Sequence, residues 1–189
     1  MTARRQFVVG AIAVVLALAS GIYIGIEARG GPEASVVEAP EGALTSEAIV
    51  NLFAARLNDA EGKTLAMSQW RGRTLVVNFW ATWCPPCKEE MPAFSRLQTQ
   101  YAANGVQFVG IALDSADNVL NFSKQHPVTY PLLLAGSEGA ELSRQLGNSL
   151  LTVPYTVVLG ANGGVHTTRM GPFPKQELEA LLQKIAIAK

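Results

Sequence analysis

The chain has 189 residues, with 15 basic and 15 acidic side chains, and about half of its residues are hydrophobic. That is room for one ordinary domain with a sizeable core plus an appendage, and the charge balance offers no basic surface of the kind nucleic acid requires. Its two cysteines are too few for a disulfide-dense scaffold or a closed four-thiolate zinc site. They leave a redox-active pair, a structural disulfide or two inert thiols.

Arg4 and Arg5 precede an uncharged apolar run, Phe7 to Ile26, long enough at about 20 residues to cross a bilayer as one helix. The paired arginines keep the N-terminus in the cytoplasm and send the rest of the chain across. A cleaved signal peptide is the rival reading, because Ala17-Leu18-Ala19 is an acceptable small-residue cleavage site, and the arginine pair faintly resembles a twin-arginine export signal. The run continues past Ala19, which favours the uncleaved anchor. Gly21 and Gly25 have the spacing that can pair two membrane helices. Residues 27–44, rich in Glu, Pro, Gly and Ala, read as a flexible tether, and 45–189 as the folded domain.

Within that domain Thr45 to Leu57 fits either a short helix or an opening strand, followed by a polar turn at Asn58–Gly62 and a short strand at Thr64–Met67. Arg73–Ala81 is a continuous apolar, β-branched run, the pattern of a strand buried on both faces. Helical spacing follows through Met91, Phe94, Leu97 and Tyr101, with a stop at Asn104-Gly105. A second buried strand is expected at Val106–Asp114, a polar helix at Ala116–Gln125, a short strand in Thr129–Ala135 and a helix at Gly139–Gly147. Strands at Tyr155–Leu159 and Val165–Met170 flank an Asn162-Gly163 turn, a hairpin signal, and a last helix covers Lys175–Ile185. This order predicts an α/β domain, with a central mixed sheet that is mostly parallel in its first half and has helices on both faces.

Both cysteines lie in "FWATWCPPCKEEMP", Phe79 to Pro92. A strand ending at Ala81 and a helix starting near Pro85 put Cys84 at a helix N-terminus, where unpaired N–H groups and the macrodipole stabilise a thiolate. Cys87 is one turn on and on the same side of the helix, so the sulfurs can approach bonding distance. Pro85 and Pro86 stiffen that first turn, where a missing N–H costs nothing. Inert thiols do not explain the corner position. A zinc half-site would need further ligands, yet His126 and His166 lie in segments that read as exposed. A static disulfide over so short a loop restrains little of the unfolded chain. Redox-active cysteines are therefore the favoured reading. Trp80 and Trp83 read as packing and shielding groups, and Lys88 and Glu89 as surface charge.

The segment "VVNFWATWCPPCKEEMPAF" resembles the active-site segment of the thioredoxin superfamily, and in particular its membrane-anchored, exported TlpA, ResA and CcmG type thiol–disulfide oxidoreductases. Pro92 within the helix, "TVPYTVVL" with Pro154, and the closing hairpin, glycine and helix of "GANGGVHTTRMGPFPKQELEALL" extend the likeness over about Asn58 to Lys189. The resemblance implies a thioredoxin-like fold. It makes Cys84 the attacking and Cys87 the resolving cysteine, and Pro154 the cis-proline beside the disulfide. Val153 would offer its backbone to an extended substrate, Gly171 would let that substrate approach closely, and Trp83 would contribute to the docking surface. Thioredoxin carries a buried aspartate where this chain has Asn78, which cannot accept a proton. In the ResA-like branch an acid in the helix stands in for it, and Glu90 matches that acid, with a solvent-facing glutamate as the alternative.

What the resemblance implies for function is an exported thiol–disulfide oxidoreductase without a cofactor. It would act on the periplasmic face of a bacterial inner membrane, or as a soluble periplasmic protein if the signal is cleaved. Its expected partners are disulfide-containing exported proteins, such as apocytochrome c or metal-centre assembly proteins, and an electron-donating membrane transporter of DsbD or CcdA type. A copper-delivery factor on the same scaffold is the alternative, since two thiolates bind a soft ion, although Sco-type proteins use CxxxC and a histidine. A peroxidase is a weaker third reading.

Overall fold

The computed structural model describes residues 44–187. The apolar run Phe7–Ile26 and all but the last residue of the tether lie outside the described residues. Among those that are described, no helix is long and apolar enough to cross a membrane.

Thr45 caps the first helix, α1 (Ser46–Ala54), its hydroxyl oxygen accepting the Ala48 N–H at 3.1 Å. Ala48, Leu52 and Phe53 form the buried stripe of that helix. At Ala55 the backbone swings to an extended conformation and runs into β1 (Arg56–Asn58), which pairs antiparallel with β2 (Thr64–Ala66). The stretch Thr45–Leu57 is thus helix first and strand second. The Asp59 carboxylate closes the intervening turn by accepting the N–H groups of Glu61 and Lys63. Met67 is not the end of β2: it opens a 3₁₀ turn, Met67–Trp70, that buries Met67 and Trp70.

The central sheet has the order β5-β4-β3-β6-β7. β3 (Thr74–Trp80) runs parallel to β4 (Val106–Ala112), and β4 parallel to β5 (Leu132–Leu134). β6 (Tyr155–Leu159) is antiparallel to β3, and β7 (Val165–Met170) antiparallel to β6. All seven residues of β3 are buried, because helices cover both faces of the sheet. Val76 and Trp80 point to the face covered by α2 (Pro85–Tyr101), α3 (Ala116–Gln125) and α5 (Lys175–Ile187). Leu75, Val77 and Phe79 point to the face covered by α1 and α4 (Gly136–Gln145). The expected order of elements is therefore present, as a mixed sheet that is parallel in its first half.

Two glycines are placed by packing. Gly139 does not open α4, which starts three residues earlier; it sits inside the helix, where a Cβ would lie 2.9 Å from the Ala135 Cβ. A glycine that reads as a boundary in the sequence is here a point of close approach. Gly110, in the middle of β4, lies beside Asn78 of β3 and Leu132 of β5. A Cβ there would meet Leu132 Cδ2 at 2.7 Å and the Trp80 indole nitrogen at 3.0 Å. The fully buried Trp80 ring depends on that missing side chain. Gly110→Ala is expected to destabilise the domain by about 1–3 kcal/mol through overpacking. A lowered denaturant midpoint with unchanged slope would show it; an unchanged midpoint would mean that the indole has room to move.

Candidate active site

β3 ends at Trp80, and the turn Ala81–Trp83 hands the chain to α2 with Cys84 as its N-cap residue. The Cys84 Sγ accepts the Cys87 N–H at 3.3 Å, so the N-cap sulfur sits against a free donor of the helix end. Pro85 and Pro86 fill the first two helical positions. Cys84 and Cys87 are joined in a disulfide with their Cα atoms 5.3 Å apart. Cys84 is 3% exposed and Cys87 0%, so both are buried in the disulfide and Cys84, at the helix tip, is the less enclosed of the two. Once the pair is reduced, the same N-terminus favours a thiolate at Cys84.

Asp114, just past β4, holds the preceding turn. Its carboxylate accepts the Thr82 N–H and hydroxyl, the Ser115 N–H and the Asn118 amide. Burial alone would push this carboxyl up, but those four hydrogen bonds hold it below the usual range.

Glu90 lies one turn after Cys87 and is 7% exposed. Its Oε1 accepts the Asn78 side-chain amide at 3.0 Å, and its Oε2 accepts the Phe173 backbone N–H at 2.9 Å. Burial pushes the carboxyl up to about 7, against the pull of both hydrogen bonds, which favour the charged form. Asn78 is itself buried and donates a second bond to the Thr156 hydroxyl oxygen at 3.1 Å. Both neighbours of this amide are acceptors, so the position calls for a donor, which an ionised aspartate is not.

The sheet register gathers the remaining residues at the same end. Phe79 pairs with Tyr155, and Tyr155 with Met170, so one step further Pro154 lies beside the end of β3 and Gly171 beside Pro154. The Val153–Pro154 peptide is cis. Gly171 donates its N–H to the Pro154 carbonyl at 2.8 Å with φ +81, and nothing lies within 4 Å of where its Cβ would be. The backbone is thus open there, and a side chain would be strained. Val153 is half-buried against the core. The buried Asn148 braces the approach to it, bonding the Thr152 N–H and carbonyl.

Cys84, Cys87, Glu90, Val153, Pro154 and Gly171 thus stand at one end of the sheet. Trp83 and Trp80 have opposite fates. Trp83 is 66% exposed beside Cys84, so it packs little of the core, whereas Trp80 is wholly buried with its ring centroid 4.9 Å from that of Phe122. Lys88, Glu89, His126 and His166 are exposed. Among the described residues no group of three or more His, Cys, Asp or Glu is placed to hold a metal ion. Sequence reading missed Asp114, Thr156 and the Phe173 N–H. Thr156 had a signal: it and Asn78 are polar residues inside two buried strands and are paired in register. The Phe173 bond is made by backbone and leaves no mark on side-chain pattern.

The Redoxin family profile matches residues 38–183. The thiol–disulfide oxidoreductase ResA of Bacillus thuringiensis subsp. konkukian is 32% identical over 130 residues, covering 68% of this chain and 73% of the relative. Among solved structures, a thioredoxin-related protein from Neisseria meningitidis serogroup B matches with TM-score 0.62 at 34% identity, covering 70% of this chain and 99% of that one. A thiol:disulfide interchange protein of the thioredoxin family from Chlorobium tepidum matches with TM-score 0.62 at 29% identity, covering 70% of this chain and 92% of that one. With a CxxC disulfide at a helix N-terminus on this fold, the chain belongs to the Redoxin family and is a ResA/CcmG-like thiol–disulfide oxidoreductase of the thioredoxin superfamily.

Proposed function

We propose that the protein works as a reductant of exported proteins, with Glu90 as the proton acceptor for Cys87. The observation that carries this reading is the buried Glu90 carboxyl, one helical turn from Cys87 and held on both oxygens. The reduced Cys84 thiolate attacks a target disulfide, forming a mixed disulfide and releasing one target thiolate. The Cys87 thiol gives its proton to the Glu90 carboxylate, and the Cys87 thiolate attacks the Cys84 sulfur. The second target thiolate leaves, two electrons have passed to the target, and the Cys84–Cys87 disulfide is formed. A carboxyl poised near neutrality both takes and returns a proton at working pH.

Trp83, Val153, Pro154 and Gly171 form the face on which the target lies. The exposed Trp83 ring offers an apolar contact, and the open backbone at Gly171 leaves room for an extended segment. Residues 1–26 place the domain on the periplasmic face of the inner membrane, with 27–44 as tether to the folded domain 45–189. Fresh electrons then come from a membrane thiol transporter of DsbD or CcdA type, and apocytochrome c or metal-centre assembly proteins are the clients.

A Cys87→Ser variant is expected to accumulate targets as mixed disulfides through Cys84, identifiable after non-reducing purification. Absence of any adduct under oxidising and reducing conditions alike would sink the exchange scheme. Stoichiometric Cu(I) binding with no turnover of a disulfide substrate would favour copper delivery instead.

Glu90 also makes stability depend on pH. Below its ordinary value of 4.5 the carboxyl is protonated in both the folded and the unfolded chain. As the pH rises from there to about 7, the unfolded chain ionises while the native carboxyl keeps its proton, so native stability falls. Above that the loss is complete, about 3 kcal/mol at most. Glu90→Gln is therefore expected to be more stable than the parent above pH 7 by up to about that amount, with the gap closing towards pH 4.5. Denaturant titrations at several pH values measure it, and a gap independent of pH would contradict the buried-carboxyl account.

A further inference from the structure

The segment between β7 and α5 reads Gly171-Pro172-Phe173-Pro174. The prolines have no N–H, and Gly171 gives its own to the Pro154 carbonyl. Phe173 supplies the one other donor of this segment, and it goes to Glu90 Oε2 at 2.9 Å. Four residues thus link the substrate-side carbonyl of the cis-proline to the carboxyl beside the disulfide.

The far side of the same peptide group is also held. The carbonyl of Pro172 and the N–H of Phe173 belong to one planar trans unit and point in opposite directions. The Nε of Arg169 donates to that carbonyl at 3.1 Å. Arg169 is itself fixed, with its Nη1 2.6 Å from a Glu177 carboxylate oxygen and its guanidinium 5.3 Å from the centroid of the Phe173 ring. One rigid plate is therefore gripped by a guanidinium at its oxygen and by Glu90 at its hydrogen. A charged donor on the carbonyl polarises the amide and strengthens the bond that its N–H makes.

We infer that Arg169 is a positioning residue for the redox site, aiming the Pro172–Phe173 peptide so that its N–H holds the Glu90 carboxyl. This rests on the proton-accepting role given to Glu90 above. The guanidinium acts through the peptide, since its own hydrogen bonds go to Pro172 and Glu177 and none to Glu90. The other groups that bear on this carboxyl are the Asn78 amide from β3, with Thr156 of β6 behind it, Cys87 on its own helix, and the Tyr130 phenol from the segment before β5. Burial holds that phenol well above its usual range, so it stays neutral while Glu90 titrates.

The test is the titration of the Glu90 carboxyl carbon by NMR in the parent, Arg169→Ala and Arg169→Lys proteins. Loss of the grip loosens a bond to the charged form, so Arg169→Ala is expected to raise the midpoint by about half to one pH unit and to speed hydrogen exchange of the Phe173 amide. Arg169→Lys keeps the charge beside Glu177 but lacks the planar fork, and is expected to show the same raised midpoint. An unchanged midpoint in Arg169→Ala would overturn the inference, as would a parental midpoint in Arg169→Lys, which would assign the effect to charge alone. The midpoint is read on Glu90 itself, independently of its part in exchange. If the midpoint moves but the pH profile of disulfide exchange does not, the positioning by Arg169 stands and the proton role of Glu90 falls.

Discussion

The redox site is organised around one constraint: a carboxyl placed in the core must be given donors or give up its charge. Glu90 meets it halfway. Burial favours the protonated form, while the Asn78 amide and the Phe173 N–H favour the anion, and the balance falls near neutrality. Much of the surrounding chain serves that balance. Asn78 bridges carboxyl and hydroxyl, Thr156 orients Asn78, and the loop before α5 brings a backbone donor to the other oxygen.

The sheet makes this possible because its register carries distant segments to one edge. β3 delivers the cysteine turn, β6 the cis-proline and β7 the open glycine, and the hydrogen bond from Gly171 to Pro154 ties the last two together. Asp114 does the same for the turn between β3 and α2, so both sides of the disulfide are braced by hydrogen bonds. The less enclosed cysteine, Cys84, lies on the helix end that suits a thiolate, and the fully buried Cys87 lies a turn from the carboxyl.

The frame of this domain was legible because its signals are local. A continuous apolar run marks β3, since burial on both faces removes the alternation a one-sided strand would show, and the CxxC at a strand-to-helix corner needs only neighbouring residues to be recognised. Glu90 shows where local reading stops. Lys88, Glu89 and Glu90 are three consecutive charged residues, and nothing local separates the two glutamates, yet only Glu90 turns inward, because of contacts with residues 12 and 83 positions away. Trp80 and Trp83 separate for the same reason: one finds space over Gly110, and the other is left at the surface. The start of α4 was misplaced because Gly139 is required by packing on Ala135, which sequence displays in the same way as a helix stop.

The most direct test of the central claim is the rate at which Cys87 resolves a preformed mixed disulfide on Cys84, followed across pH in the parent and in Glu90→Gln. The parent rate should rise with an apparent midpoint near neutrality. The variant should lose that inflection and climb only at the higher pH where a free thiol ionises. Identical profiles in the two proteins would contradict the account, because Cys87 would then shed its proton without Glu90.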